Sequence, residues 1–174
     1  MGKGKIIAVI GGLFAIYLVA APYITVHHIK SAAESHDGEA LSEYIEFPSV
    51  RQSLKDQMNA MFMKEMAKDG MSDNPFAALG AAFAGVMVDK MVEAYVTPAG
   101  ITQLMAGAKP NSAQGGESDG DSGHKPLSDA SMSYESLNKF VVKTKGGTGE
   151  EGKFVLRRRG IGWKLTEIII PLDK

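Results

Sequence analysis

The sequence contains no cysteine. That removes disulfides, thiolate nucleophiles and cysteine metal sites together, and it leaves the redox compartment open. An excess of either charge is also missing: 19 basic and 20 acidic side chains give a formal net charge of −1. A general nucleic-acid binder would carry a strongly basic face, so no nucleic-acid partner is expected. There is no H-E-x-x-H, no phosphate loop and no nucleophile elbow. Gly160-Ile161-Gly162 lacks the third glycine of a dinucleotide fingerprint and begins no helical pattern. The cofactor expectation is therefore none, and so is the expectation for catalytic and metal residues.

What the sequence does have is one long apolar run. Ile6 to Val26 holds no charged side chain, and as a helix it would reach roughly 30 Å, the hydrocarbon thickness of a bilayer. Lys3 and Lys5 precede it, as in an export signal. A cleavable signal has an apolar core of about 7–15 residues and small residues before the cut. Here the run is longer, and its best small-residue site, Val19-Ala20-Ala21, is followed by Pro22, which disfavours cutting. Retention as a signal anchor is the favoured reading, with cleavage and a soluble core helix as alternatives. The lysines before the span place the amino terminus, residues 1–5, in the cytoplasm and the rest outside it. That predicts a single-pass membrane protein, held through residues 6–26, with its C-terminal domain exported.

Helical spacing continues past the span. Val26, Ile29 and Ala33 recur at three and four residues, so one helix should run to about Ser35, with Pro22 as a kink site. Asp37 is placed to cap a short helix through Tyr44, and Ser49 to cap the next. Val50, Leu54, Met58, Met61, Phe62 and Met66 form one stripe. The chain has ten methionines, most of them between Met58 and Met91. Methionine fills irregular cores and also builds adaptable grooves, and the core reading is the simpler one. The apolar run from Pro75 to Val88 is too short to span a bilayer and reads as a buried helix, with a membrane-lying helix as the alternative. Thr97-Pro98 opens one more short helix through Met105.

Residues 107–129 are small, polar and acidic, and they read as a flexible linker or loop. Beyond them the period becomes two. Tyr134 to Thr144, Lys153 to Arg158 and Trp163 to Ile170 read as three short antiparallel strands. Three such strands need a covering layer, and the helices of residues 27–106 supply it. The expectation is one α+β domain: a transmembrane helix, then about four to five helices packed on a small three-stranded antiparallel sheet in residues 130–174.

The candidate chemistry is sparse. His27, His28 and His36, with Asp37 or Glu39, match no established metal spacing, so solvated juxtamembrane histidines are the simpler reading. Asp37, Glu39, Glu43 and Glu46 occupy helix-start and solvent positions, where acids are expected without catalysis. One surface feature stands out. Arg157 and Arg159 should share the strand face opposite Phe154 and Leu156, and residues 132–174 carry nine basic and five acidic side chains. Such a patch suits phosphate groups, an acidic protein partner or anionic lipid. Solvated edge-strand charge is the plainer reading.

Two stretches then resemble a known family. Ala21-Pro22-Tyr23, Asp37 and Tyr44-Ile45-Glu46-Phe47-Pro48-Ser49-Val50-Arg51 form one, and Phe154-Val155-Leu156-Arg157-Arg158 with Gly162-Trp163-Lys164-Leu165-Thr166-Glu167-Ile168 forms the other. Together they are similar to the bacterial domain of unknown function 2939. The resemblance implies a membrane-anchored or exported bacterial protein, so residues 6–26 should lie in the inner membrane with the C-terminal domain in the periplasm, and it brings no activity with it. Glu46 stands where that family more often has aspartate. The last strands are also similar to the end of nuclear transport factor 2-like folds, which implies a sheet curved around a ligand pocket. The functional expectation is a non-enzymatic binding or interaction module. The alternative is a small-ligand-binding or hydrolytic domain with a pocket between helices and sheet.

Overall fold

The computed structural model describes residues 3–68, 76–105, 130–145 and 151–170. The expected linker, 107–129, lies outside these. Helix α1 (Lys3–Glu34) runs unbroken through Pro22, and it is long and apolar enough to cross a membrane. Its two halves live in different surroundings. Ile6, Ile10, Leu13, Ile16 and Val19 are exposed, whereas Ala21, Thr25, Val26, Ile29, Ala32 and Ala33 are buried in the domain. One helix thus serves first as the apolar segment and then as the domain's own first helix.

The turn after α1 is closed by backbone hydrogen bonds, with the Ser35 hydroxyl also donating to Ala32 O at 3.2 Å. His36 adopts φ 56°, its N–H donates to Ala33 O, and the Asp37 N–H reaches back to Ala32 O. This pair of bonds is the Schellman arrangement, with histidine where glycine is usual. Asp37 then caps α2 (Gly38–Tyr44), accepting from the Glu39 and Ala40 N–H groups at 3.1 and 3.0 Å. Helix α3 (Phe47–Lys68) starts earlier than the sequence suggests. The Glu46 N–H is held by Leu165 O at 2.9 Å, so the chain stays extended to residue 46 and turns helical at once. Ser49 is therefore inside the helix and donates to the Glu46 carboxylate at 2.8 Å instead of capping.

Helices α4 (Ala77–Tyr95) and α5 (Pro98–Met105) complete the helical layer. Lys55 on α3 bridges Asp89 and Glu93 on α4 at 3.1 and 3.3 Å, and the Arg51 Nε donates to Val96 O. The buried-helix expectation for Pro75 to Val88 is overturned. Leu79, Phe83, Val86 and Met87 are 61 to 76% exposed. Helix α4 packs chiefly on α3, and no second layer covers its other face among the described residues. The methionine core holds only at its edge: Met58 packs against the core, but Met61, Met63, Met87 and Met91 are exposed, and burial along α3 fades after Leu54.

The sheet is a four-stranded antiparallel meander, β1 (Ser131–Ser136), β2 (Lys139–Lys145), β3 (Glu151–Arg159) and β4 (Gly162–Ile169), ordered as in the chain. Four strands replace the expected three. The segment from Tyr134 to Thr144 folds back at Leu137-Asn138, so that Tyr134 faces Phe140. With only Met132 and Tyr134 apolar, β1 carries too little alternation to be told from a loop.

Phe140, Val142, Leu156, Trp163, Leu165 and Ile168 turn toward the helices and meet Val26, Ile29, Leu41, Ile45, Val50, Val92 and Ile101 in one core. At roughly 1.5–3 kcal/mol for each fully buried large apolar side chain, this cluster dominates the domain's stability. The outer edge of β4 is closed by α3. Gln57 donates its amide to Ile168 O at 2.8 Å and accepts from the Ile170 N–H at 3.2 Å. With the Glu46–Leu165 bond, that edge offers little to another strand.

Candidate functional site

Strand pairing decides which side chains share a surface. Lys139 lies opposite Arg157, and Arg157 opposite Lys164, giving a row of three cations across β2, β3 and β4. Lys143 and Lys153 form a second like-charge pair. Like charges directly opposite one another destabilise a sheet, so this face carries a local cost. Arg157 and Arg159 do share it, as expected. Each has a carboxylate partner. The Arg157 Nε and Nη2 donate to Glu167 Oε1 at 3.0 and 2.8 Å. Arg159 forks onto both oxygens of Glu46, at 3.0 and 2.5 Å. The Arg159 guanidinium, helped by the Ser49 hydroxyl, holds the Glu46 carboxyl below its ordinary range, and Glu46 in turn raises Arg159. Lys139 pairs with Glu135 at 2.7 Å. Among the described residues, Lys143, Lys153 and Lys164 make no ion pair.

Between α3 and these strands lies an open groove of about 520 Å³, lined by Ser49, Ser53, Gln57, Arg157, Arg159 and Glu167. It offers hydrogen bonds and already neutralised charge. A second cavity of about 310 Å³ lies between α1 and β4, where Tyr17, Ile24, His28, Tyr44, Trp163 and Lys164 meet. Arg158 stacks on Trp163 at 5.0 Å, and Trp163 joins Tyr134, Phe140 and Tyr23 in an edge-to-face cluster. The Arg158 Nε and Trp163 Nε1 are buried there without a hydrogen-bond partner.

The histidines are distributed among separate duties. His28 stacks flat on Tyr44 at 5.2 Å, and His36 supplies the left-handed turn. No group of three metal-ligating side chains occurs among the described residues. Of the acids, Asp37 caps α2 and Glu46 holds Arg159.

Sequence reasoning missed the role of Glu46, because its partner lies 113 residues further on. It also favoured burial of the strip Leu79, Phe83, Val86 and Met87 over a membrane-lying helix, although the three- and four-residue spacing that shows the strip was legible.

These features define a class: an α+β domain continuous with an apolar N-terminal helix, bearing a paired cationic sheet face and an uncovered helix strip. The chain belongs to the family of proteins of unknown function DUF2939, whose model matches residues 12–104. The matched stretch runs from within the apolar half of α1 into α5 and includes Tyr44 to Arg51. It ends before the strands. No curated protein and no solved structure matches the chain, so the likeness to nuclear transport factor 2-like folds is not shown.

Proposed function

We propose that this is a single-pass protein of the bacterial inner membrane whose domain stands in the periplasm as a non-enzymatic protein-binding module. Lys3 and Lys5 before the apolar segment support this orientation. The exposed, purely apolar half of α1 supports its retention in lipid.

The observation that carries the binding role is the uncovered strip on α4. Contiguous exposed apolar side chains on a folded domain mark an interaction surface. Position argues for a protein there. The chain enters α3 just after Glu46, beside Leu165, and by Gln57 it is beside Ile170, so α3 leads away from the Gly160-Ile161 turn. That turn is next to Gly162, which shares a cavity with Tyr17 in the apolar half of α1. Asp89 and Glu93 lie beside Lys55, so Leu79 to Met87 sit next to the far half of α3. The strip therefore points away from the bilayer that α1 enters. A partner with an apolar face of its own fits it, with Asp89, Lys90 and Glu93 as a charged rim.

A photo-crosslinking residue at Phe83, in native envelopes, should give a discrete adduct that disappears in Val86→Ser/Met87→Ser. The same residue at exposed Glu39 should give none. Identical adducts from both positions, or none from either, would reject the module. A phosphatase fused after Lys174 should be active only outside the cytoplasm, and an expressed but inactive fusion would reject the orientation. The groove of about 520 Å³ keeps a small polar ligand as the alternative; ligand-induced protection of Gln57 and Ser53 from hydrogen exchange would favour it.

A further inference from the structure

The β1–β2 and β3–β4 turns lie at one end of the sheet, where the Arg158 N–H donates to Asn138 O, and each carries a bare apolar side chain at its tip. Leu137 is 84% exposed and Ile161 67%. Two-residue turns are usually polar, so this pair has no explanation within the fold.

The same end of the sheet is fastened to the apolar half of α1. The Tyr134 hydroxyl, three residues from Leu137, donates to Val19 O at 2.9 Å. Gly162, next to Ile161, lines a cavity with Tyr17 and Ile24. Tyr17, Val19 and Ile24 are themselves exposed. They lie near the outer limit of the apolar segment, where tyrosine marks a membrane interface.

Cations surround the two tips. Lys139 follows the first turn, Arg158 and Arg159 precede the second, and Lys164 follows it. Lys139 and Arg159 are engaged by Glu135 and Glu46, and Glu43 lies across the cavity from Lys164. Lys164 and Arg158 make no ion pair among the described residues. An apolar tip inside a basic collar fits the boundary of an anionic phospholipid leaflet, where acyl chain, phosphate and water meet.

We infer that the two turns form a second membrane contact, in which Leu137 and Ile161 enter the headgroup boundary of an anionic bilayer and Lys164 and Arg158 meet lipid phosphate. The contact rests on α1 being retained as the span. It fixes the tilt of the domain, so the sheet end lies on lipid while α4 is held away from it.

The absence of cysteine makes a direct test available. Single variants Ile10→Cys, Met87→Cys, Leu137→Cys and Ile161→Cys of the full chain carry an environment-sensitive fluorophore. They are placed in nanodiscs of phosphatidylethanolamine and phosphatidylglycerol, with a fraction of lipid bearing a nitroxide near the headgroup. Near-ultraviolet circular dichroism of Trp163 verifies folding of each variant. Labels at 137 and 161 should be blue-shifted and strongly quenched, the label at 87 unquenched, and the label at 10 protected from aqueous iodide. Quenching at 137 and 161 should weaken in discs of phosphatidylcholine alone and with Lys164→Glu.

If 137 and 161 are no more quenched than 87 while 10 is protected, the second contact is overturned and the anchor stands. If 10 is open to iodide as well, the anchor reading fails too. Quenching at the tips that ignores both lipid charge and Lys164→Glu overturns the role of lipid phosphate.

Discussion

The Tyr134 hydroxyl donates a hydrogen bond of 2.9 Å to the carbonyl of Val19. It joins the first strand of the sheet to α1 at the point where that helix changes from exposed to buried. Four residues further on, Tyr23 packs its ring against Phe140 at 4.8 Å and closes the joint from the helix side. Here the helix is shared and the sheet grips it directly, so the orientation of the domain follows from the orientation of the helix.

Tyr134→Phe should therefore loosen the joint without emptying the core. Burial raises the phenol pKa, so the hydroxyl remains a donor at neutral pH. The Val19 carbonyl lies inside α1 and keeps its helical acceptor role, so no buried carbonyl is orphaned. The loss should be at the lower end of about 0.5–1.5 kcal/mol. Thermal unfolding of the full chain in detergent should fall by a few degrees, with the Phe140 contact retained. No drop for Tyr134→Phe beside a large one for Tyr134→Ala would show that the ring, not the hydroxyl, makes the joint.

Gln57 should matter more than its polar, surface-helix position suggests. Its amide satisfies Ile168 O and the Ile170 N–H in the way a neighbouring strand would. Gln57→Leu removes both bonds and reopens the edge of β4. The expected cost is about 1–3 kcal/mol, because a partly buried carbonyl loses its donor. Reopening the edge should also make size-exclusion profiles depend on concentration. Gln57→Glu keeps the acceptor for Ile170, loses the donor for Ile168 and should fall between. Unchanged stability and unchanged elution for Gln57→Leu would refute the edge-closing role.

The parts of this fold that were legible in the sequence are those set by near neighbours. Asp37 announces α2 because capping acts over two or three residues, and the two halves of α1 are legible because helical spacing resumes right after the apolar run. The parts that were not legible depend on what lies across the fold. An apolar run such as Phe76 to Val88 shows only that water is avoided; whether α3 alone or a second layer covers it is a tertiary matter. Ser131 to Ser136 pairs as a strand through its backbone, with almost no side-chain signal. The arginines of β3 were recognisable as a shared face, yet their neutralisation by Glu46 and Glu167 was not. Glu167 could have been found from hairpin register, since Val155 faces it; Glu46 could not, lying on another element.

Two glycines should respond oppositely to the same substitution. Gly80 lies in α4 with nothing within 4 Å of an added Cβ. Gly80→Ala should stabilise the helix by up to about 1 kcal/mol, from the smaller backbone entropy lost on folding. Gly100 lies in α5, where an added Cβ would stand 1.8 Å from the Tyr95 carbonyl oxygen. That overlap is with backbone and cannot be relieved by a rotamer, so α5 must shift away from the Val96 turn and from buried Ile101. Gly100→Ala should cost several kcal/mol, roughly the range of an overpacked core or worse. Denaturant midpoints decide both, and equal effects of the two substitutions would contradict this placement of α5.

The ion pair of Glu46 and Arg159 should give the domain a specific acid dependence. The folded carboxyl titrates below its ordinary value of 4.5, chiefly through its hydrogen bonds from Arg159 and then Ser49. Above that value the carboxylate is charged in both folded and unfolded chains, and the pair contributes its full amount. As pH falls through 4.5 the unfolded chain takes up its proton first, so the advantage of the folded state shrinks, and it is gone once the folded carboxyl is protonated as well. Both side chains are partly exposed, at 29% and 44%, so the contribution stays within about 0.2–1 kcal/mol. Glu46→Gln should therefore lie below the unaltered protein in thermal stability at pH 7, and the two should converge below pH 4.5. Glu135, lowered by Lys139, adds acid sensitivity of the same sign to both proteins, so only the difference between them isolates Glu46. A gap that stays constant from pH 7 to pH 3 would show that Glu46 acts through packing, and the joint between α3 and β3 would then need another explanation.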